Sequence, residues 1–291
     1  MQVIISIPAY NEEEGIGRVI NEIKEVMSET KYKYKIFVVD DGSKDKTKEI
    51  AQKAGAIVHS NRVNMGLAET FKVEMQKCLE LKADIIVHTD ADGQYDPIHI
   101  PELIKKVEEG YDIVLGSRYI YKNKNQSLMK KLGNIAFAKV FTNITKLKIT
   151  DTTTGFRAFT KVVAKDINFI NTFTYTQEQI LRAAKMKLRI TEIPIKTRPT
   201  RESRLFKNSL QYAIKAWINI LRIYRDFEPL KFFGKIGLTF LVIGITIGIW
   251  TTYDFLQTGK VGHLPATILA VLLITMGIQI ITFGFLADMK K

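Results

Sequence analysis

The sequence predicts an α/β protein in which a mostly parallel, doubly wound sheet is followed by two apolar C-terminal helices. Short apolar runs alternate with helically spaced apolar residues at intervals of roughly 25 residues, as in repeated strand–helix units. Two long uncharged segments occupy the end of the chain. With 291 residues, 46% of them hydrophobic, the chain can bury a sizeable core and is not intrinsically disordered. The single cysteine, Cys78, excludes a disulfide framework and a cysteine-based zinc site.

Five strands and four helices are expected in the N-terminal part. The predicted strands cover residues 3–7, 36–39, 56–59, 85–87 and 113–115. Three predicted helices cover residues 12–27, 66–81 and 98–109, and a fourth, capped by Asp45, ends at Gly55. The first helix has apolar residues at helical spacing from Ile16 to Val26, and Gly110 ends the helix at 98–109.

Polar side chains follow four of these strands, at the edge where parallel sheets bind ligands. They are Tyr10, Asn11 and Glu12 after the first strand, Asp40 and Asp41 after the second, Asp90, Asp92 and Gln94 after the fourth, and Ser117 and Arg118 after the fifth. The chain has neither GxGxxG nor GxxxxGK[ST], so dinucleotide and P-loop nucleotide binding are not expected.

Asp90 and Asp92 form an Asp-x-Asp pair directly after a predicted strand. Carboxylate oxygens are the ligands that Mg²⁺ and Mn²⁺ prefer, and substrate phosphates often complete their coordination. Asp-x-Asp alone is abundant by chance, but its place at a strand end favours a divalent metal site there.

Positive charge is concentrated in two segments of a chain with a net charge of +13. Residues 117–150 contain eight basic residues and no acidic one, and residues 198–235 contain nine basic and three acidic residues. Such segments favour an anionic partner: a phosphorylated ligand, a lipid surface or nucleic acid. A solvated basic surface is the alternative for the first segment.

The C-terminal apolar segments predict a membrane hairpin with spans of about 236–256 and 264–287. Lys231 and Lys235 precede the hairpin, Lys290 and Lys291 follow it, and Lys260 stands alone in the turn. By the positive-inside rule, we expect a two-span protein of the cell membrane with both termini and the N-terminal domain in the cytoplasm. A buried soluble helix is the alternative for the first span.

Three domains follow: the α/β domain at 1–204, an interfacial segment at 205–229 and the transmembrane hairpin at 230–291. Apolar residues recur at helical spacing between 205 and 224, which suits a helix in the headgroup layer or one packed on the α/β domain. Gly244 and Gly248 form a GxxxG spacing, which predicts either contact with another helix or packing within the hairpin.

Five separated motifs occur in an order typical of one enzyme family. They are Ile4-Ile5-Ser6-Ile7-Pro8-Ala9-Tyr10-Asn11-Glu12, Val38-Val39-Asp40-Asp41-Gly42-Ser43, Asn64-Met65-Gly66, Asp90-Ala91-Asp92-Gly93-Gln94 and Gly116-Ser117-Arg118. Over residues 1–205 the chain resembles family 2 glycosyltransferases with the GT-A fold, and more narrowly the polyprenyl-phosphate (dolichyl-phosphate) sugar synthases. The two C-terminal spans resemble those of the membrane-anchored members.

The resemblance implies a role for each matching residue. The nucleotide would be held by Pro8, Tyr10, Glu12, Asp40, Asp41 and Asp90. Asp90 and Asp92 would bind the metal and the diphosphate. Gln94, Ser117, Arg157, Ser203 and Arg204 would lie on the sugar and acceptor side. Asp92, Arg118, Arg198 and Glu178 are the residues expected to take part in catalysis. The family's basic loop often has glycine and lysine where this chain has Arg201 and Arg204, which leaves the loop's geometry open.

The resemblance therefore implies an inverting transferase that moves a hexose from a GDP-mannose-type or UDP-glucose-type donor to a polyprenyl or dolichyl phosphate. An ionised phosphate acceptor needs no base, whereas a hydroxyl of a glycolipid or glycan would need one, for which Glu178 is the candidate. Glu178 could equally be a carboxylate favoured by a helix N-terminus. A non-enzymatic, membrane-anchored binder is the third class. Nucleic acid is not an expected partner, and a homo-oligomer is compatible with the sequence.

Overall fold

A computed structural model of the chain describes residues 1–120, 141–142, 145, 147–166, 175–198, 218, 221–222 and 224–289. The chain divides into two compact units, Met1–Gln211 and Tyr212–Lys291. The predicted interfacial helix at 205–224 lies almost entirely outside the described residues.

The first unit is built on a sheet of seven described strands. The strands are β1 (Gln2–Ala9), β2 (Lys33–Asp40), β3 (Ile57–Ser60), β4 (Ile85–His88), β5 (Ile113–Ser117), β6 (Arg157–Thr160) and β7 (Ile190–Pro194). Their spatial order is β3-β2-β1-β4-β6-β5-β7, and β6 is antiparallel to both of its neighbours, whereas the other pairs are parallel. The predicted α/β class with a mostly parallel sheet is therefore confirmed.

Helices cover both faces of the sheet. They are α1 (Ile16–Ser28), α2 (Thr47–Lys53), α3 (Leu67–Glu80), α4 (Ile100–Glu108), α5 (Lys161–Asp166) and α6 (Tyr175–Lys185), with a 3₁₀ turn at Pro97–His99. Alternate residues of a strand face opposite sides. Val3, Ile5 and Ile7 of β1 accordingly pack with α1 and α4, whereas α3 packs on the opposite face of β1. The doubly wound arrangement follows from burying apolar residues on both sides of the central strands.

The first helix begins at Ile16, four residues after the predicted start at residue 12. Asn11 adopts a positive φ of 53°, and the Glu12 carbonyl accepts hydrogen bonds from the amides of Gly15 and Ile16. The Glu12 amide itself donates to Thr47 Oγ1 at 2.8 Å. The chain therefore makes a turn after β1, which carries Tyr10 and Glu12 along the sheet edge before α1 starts at Ile16.

Strands β6 and β7 were absent from the sequence prediction. β6 has only four residues and pairs with β4 on one side and β5 on the other. It therefore separates in the sheet two strands that are consecutive in the sequence. Its partners are far away in the sequence, and a four-residue run offers too few positions for a recognisable period.

The second unit contains a helical hairpin of α7 (Pro229–Thr258) and α8 (Leu264–Asp288). Both helices are long and apolar enough to cross a membrane, with mean hydropathies of 2.0 and 2.3. The predicted spans of about 236–256 and 264–287 fall inside them. Gly259, with φ of 64°, ends α7 in the left-handed conformation.

A line of small residues allows α7 and α8 to approach closely. A Cβ added to Gly237 would lie 2.6 Å from the Gly277 carbonyl oxygen, and one added to Gly244 would lie 3.0 Å from the Ala270 carbonyl oxygen. A Cβ at Gly248 would meet no described atom within 4 Å. Gly244 of the predicted GxxxG pair therefore packs within the hairpin, and Gly248 does not take part in that contact.

Candidate active site

The carboxyl ends of β1, β2, β4 and β5 bring the polar residues of four of the five sequence motifs to one edge of the sheet. The parallel register pairs Ala9 with Asp40 and Ser6 with His88, so β1, β2 and β4 end side by side. β5 runs in the same direction because it is antiparallel to β6, which is antiparallel to β4. The sheet therefore places the polar residues that follow these four strands at the same edge.

An open cavity of about 670 Å³ lies beyond the ends of β1, β2 and β3. Tyr10, Asp40, Ser43, Asn61 and Asn64 are among the residues that line it. The cavity is large enough for a nucleoside, and its walls combine an aromatic ring with hydrogen-bonding side chains.

Two other nucleotide candidates, Asp41 and Pro8, are buried and do not line this cavity. The Asp41 carboxylate is buried and accepts hydrogen bonds from Asn61 Nδ2 and the amides of Met65 and Gly66, each at 2.9 Å. It thereby fixes the loop that follows β3. Pro8 is buried within β1 opposite Val39.

The turn after β4 presents Asp90 and Asp92 together. Asp92 Oδ1 accepts the Gln94 amide at 2.9 Å, and Gly93 adopts a positive φ of 73° between them. Burial raises the pKa of the Asp90 carboxyl, and the nearby Asp92 carboxylate adds to the rise. Two carboxylates that are costly to ionise together fit a hard divalent cation, which would offset their charge.

The described part of the chain offers few other ligands for such an ion. The described residues contain no group of three or more histidine, cysteine, aspartate or glutamate side chains with metal-binding geometry. Asp90 and Asp92 would therefore hold a metal only together with oxygen ligands from a substrate or water, as is common for Mg²⁺ and Mn²⁺.

Arg118 follows Ser117, the last residue of β5, and is held by a carboxylate. Its Nε donates to Asp151 Oδ2 at 2.7 Å and its Nη2 donates to Asp151 Oδ1 at 3.0 Å. Ser117 Oγ is hydrogen-bonded to Thr150 Oγ1 at 2.6 Å. The segment at Thr150 and Asp151 therefore contacts the end of β5 directly.

Arg198 lies beside the turn that carries Asp92. Its amide donates to the Gln94 carbonyl at 2.9 Å. Its guanidinium pairs with Glu22 at 2.6 Å and with Asp96 at 3.2 Å. To contact a diphosphate, the Arg198 side chain would have to leave or share these two carboxylates.

Two residues expected at the site are buried behind it. Arg157 has no exposed surface and donates to the Thr176 carbonyl at 3.0 Å and to Gln179 Oε1 at 2.9 Å. Glu178, at 2% exposure, pairs with Arg182 at 2.8 Å. In this structure both side chains contact other residues of the same domain. Ser203 and Arg204 lie outside the described residues.

The sequence prediction missed several residues that shape the site. Glu22 and Asp96 bind Arg198, and Glu192 on β7 binds the segment at Thr150 and Asp151. None of these three residues lies in a local motif. Each of these contacts joins positions that are far apart in the sequence. The tertiary fold brings these residues together.

The sheet topology and the carboxylates at its edge define a GT-A type glycosyltransferase domain followed by an apolar hairpin. The chain belongs to glycosyl transferase family 2, whose family description matches residues 4–167. A second description, the GtrB C-terminal hairpin, matches residues 228–289. The resemblance inferred from the five motifs is thereby confirmed, and the protein is a glycosyltransferase.

Two characterised relatives are more than 30% identical to the chain. The UDP-N-acetylglucosamine–dolichyl-phosphate N-acetylglucosaminyltransferase of Methanococcus voltae is 31% identical over 248 residues, which cover 76% of this chain and 95% of that protein. The dolichyl-phosphate hexose transferase of Haloferax volcanii is 32% identical over 187 residues, which cover 64% of this chain and 78% of that protein.

Solved structures support the fold. Glucosyl-3-phosphoglycerate synthase from Mycobacterium tuberculosis, in complex with Mn²⁺, UDP and phosphoglyceric acid, aligns with a TM-score of 0.60. The sequences are 19% identical, and the alignment covers 77% of each chain. At this identity the likeness concerns the fold.

Proposed function

We propose that the protein transfers a hexose-type sugar from a nucleotide-diphosphate sugar to a polyprenyl or dolichyl phosphate, with inversion at the anomeric carbon. The observation that carries the proposal is the contrast between Arg118 and Glu178. Arg118 lies at the edge of the sheet with 20% of its side chain exposed, whereas Glu178, the candidate base for a hydroxyl acceptor, is buried and ion-paired. The acceptors named for the Methanococcus and Haloferax relatives support the same choice.

The reaction needs charge stabilisation at the leaving group and an anion site for the nucleophile. Asp90 and Asp92 would hold a divalent Mg²⁺ or Mn²⁺ ion, which would supply positive charge beside the departing diphosphate. The Mn²⁺ and UDP of the mycobacterial synthase support this assignment. Tyr10, Glu12, Asp40 and Asp41 would bind or frame the nucleoside, and Gln94 and Ser117 would lie near the sugar and acceptor.

The acceptor phosphate attacks without help from a base. A phosphate monoester loses its second proton with a pKa of about 6, so its oxygen is already ionised near neutral pH. Arg118 would orient this oxygen toward the anomeric carbon. The new bond forms as the bond to the diphosphate breaks, and a single displacement of this kind inverts the anomeric centre.

The hairpin would keep the active site at the membrane surface. Lysines flank its two outer ends and only Lys260 lies in the turn, which supports a cytoplasmic catalytic unit and cytoplasmic termini. A cytoplasmic site suits soluble nucleotide sugars and a lipid acceptor whose phosphate lies at the membrane surface.

The test uses membranes that contain the full chain, labelled UDP- and GDP-sugars, and polyprenyl phosphate, with unphosphorylated polyprenol as the matched acceptor. We expect transfer to the phosphate only, and loss of transfer in Asp92→Ala or in excess chelator. Glu178→Gln should keep kcat/KM within about tenfold, whereas Arg118→Ala should lose more.

The opposite ranking would support a hydroxyl acceptor, because loss of a general base typically costs about 10²–10⁴-fold. Transfer to polyprenol, or a collapse of Glu178→Gln beside a normal Arg118→Ala, would overturn the proposal. Full activity in excess chelator would overturn the metal assignment alone.

A further inference from the structure

The orientation of Arg118 is set by hydrogen bonds that use most of its donors. Besides the two bonds to Asp151, Nη2 donates to Thr153 Oγ1 at 2.8 Å. Among the described residues, no hydrogen bond is made by Nη1, which carries the other two N–H groups of the guanidinium. The side chain therefore keeps one nitrogen for a ligand while the remainder of the group is fixed.

Asp151 is itself held rigidly. Its side chain has no exposed surface, and its Oδ1 also accepts the Thr153 amide at 3.2 Å and the Thr153 hydroxyl at 3.1 Å. Asp151 Oδ2 accepts the Arg118 amide at 3.3 Å in addition to Nε. The carboxylate can therefore rotate only if several bonds break at once.

A second carboxylate, that of Glu192, holds the backbone at Thr150 and Asp151. Glu192 lies on β7 opposite Leu115 of β5. Its Oε1 accepts the Asp151 amide at 2.9 Å, and its Oε2 accepts both the amide and the hydroxyl of Thr150, each at 2.9 Å. Burial raises the pKa of Glu192, as expected for a carboxylate partly removed from water.

We propose that Glu192 and Asp151 are positioning residues for transfer, a relay of carboxylates that fixes the Arg118 guanidinium so that Nη1 faces the anionic acceptor group. Glu192 acts on the backbone at Thr150 and Asp151, and Asp151 acts on Arg118. The inference rests on the proposed function for the identity of the anion, a phosphate monoester, but the relay itself is a property of the described contacts.

The relay fixes the orientation of the Arg118 guanidinium but reduces the net positive charge at that position. A free arginine samples many rotamers, and part of that side-chain entropy is lost whenever it binds an anion in one geometry. Asp151 neutralises Arg118 and so weakens its long-range attraction for phosphate. In return, the group is already oriented when the acceptor arrives, which raises the fraction of bound acceptor in position for attack.

Glu192→Gln tests the relay with little change of shape. Glutamine replaces one carboxylate oxygen with an NH₂ group. This group is a donor and would face one of the backbone N–H groups of Thr150 and Asp151, which are donors too. We expect kcat/KM for polyprenyl phosphate to fall about tenfold, with the KM for nucleotide sugar unchanged. Asp112→Asn is the matched control, because Asp112 Oδ2 accepts the Arg189 amide at 2.8 Å at the other end of β5 and β7.

A double-mutant cycle separates positioning from a general loss of structure. In an Arg118→Ala background, Glu192→Gln and Asp151→Asn should cost nothing further, because the group on which they act is gone. If Glu192→Gln costs the same with and without Arg118, or if Asp112→Asn costs as much as Glu192→Gln, the relay is wrong.

A second measurement does not depend on turnover. Phenylglyoxal labels arginine side chains, and peptide mass spectrometry reports the labelling rate at Arg118 in the full-length protein. The rate should rise several-fold in Asp151→Asn and Glu192→Gln and stay at the wild-type value in Asp112→Asn. An unchanged rate at Arg118 in both variants overturns the relay.

The two experiments also distinguish the relay from the proposed function. A wild-type protein that does not glycosylate polyprenyl phosphate contradicts the proposed function, and the labelling result still decides whether the carboxylates hold Arg118. Normal lipid glycosylation together with additive losses in the cycle contradicts the relay alone.

Discussion

Gly155 lies against the carboxylate of Asp90, and a Cβ at position 155 would require that carboxylate or the backbone to move. A Cβ built on Gly155 would lie 2.8 Å from Asp90 Oδ1 and 3.0 Å from Oδ2. The Gly155 amide donates to Tyr95 Oη at 3.1 Å, which fixes the backbone in this position. The segment before β6 therefore limits where the first carboxylate of the Asp-x-Asp pair can point.

We expect Gly155→Ala to lower kcat/KM by about tenfold or more, because the added methyl group must displace Asp90 or the Gly155 backbone. The concentration of Mn²⁺ or Mg²⁺ that gives half-maximal activity should rise as well. The measurement is a metal titration at saturating nucleotide sugar.

Gly234→Ala is the matched control, since a Cβ there would meet no described atom within 4 Å. An unchanged metal requirement in Gly155→Ala would show that Asp90 tolerates the displacement and would argue against its role as a metal ligand.

The hairpin offers a second glycine pair with opposite environments. A Cβ at Gly277 would lie 2.7 Å from Leu241 Cγ and 2.8 Å from the Gly237 carbonyl oxygen, whereas Gly248 is open. We expect Gly277→Leu to destabilise the hairpin by about 1–3 kcal/mol through overpacking, and Gly248→Leu to have little effect.

Thermal unfolding of the full chain in detergent, followed by circular dichroism and by protease cleavage in the turn after Gly259, measures this difference. Equal melting temperatures for the two leucine variants would mean that α7 and α8 do not rely on the small-residue contact.

Asp84 gives a pH dependence with a definite sign. A hydrogen bond from the Gln2 amide, at 2.8 Å, lowers the pKa of Asp84, and Lys161 lowers it further. A carboxyl whose folded pKa lies below its unfolded value stabilises the protein above the unfolded pKa. This stabilisation disappears as the pH falls through the folded pKa.

Asp84→Asn should therefore lower the melting temperature slightly at pH 7 and show a shrinking difference from wild type as the pH falls below about 4. Lys161→Met should have the smaller effect at pH 7, because the Gln2 amide is the larger cause. A difference that grows toward acid would contradict this assignment.

The sequence predicted those parts of the molecule that depend on local pattern. β1, β2, β4 and β5 are buried or followed by polar residues, so both their existence and the edge at which Asp40, Asp90 and Arg118 meet could be inferred. The hairpin could be inferred from hydropathy alone.

What could not be inferred depends on pairing between distant segments. Glu192 has no local signal, because its partners lie 41 and 42 residues away and meet it only through the order of β5 and β7. The burial of Arg157 and Glu178 likewise follows from the packing of β6 and α6, which a motif match does not contain.

The position of β6 also constrains how the chain can fold. β5 pairs with β6 and β7 and has no direct pairing with β4, so it has no place in the sheet until β6 is seated. β1 to β4 are adjacent in the order β3-β2-β1-β4 and are complete at His88, long before Arg157 is synthesised. Because such non-local pairings form late, the amide of Val38 should be the first to gain protection in pulsed hydrogen exchange. Val114 should gain protection no earlier than Ala158, and earlier protection of Val114 would contradict this order.

During synthesis, the ribosome would thus carry a four-stranded intermediate with an unpaired edge at β4, the edge that a chaperone would have to shield.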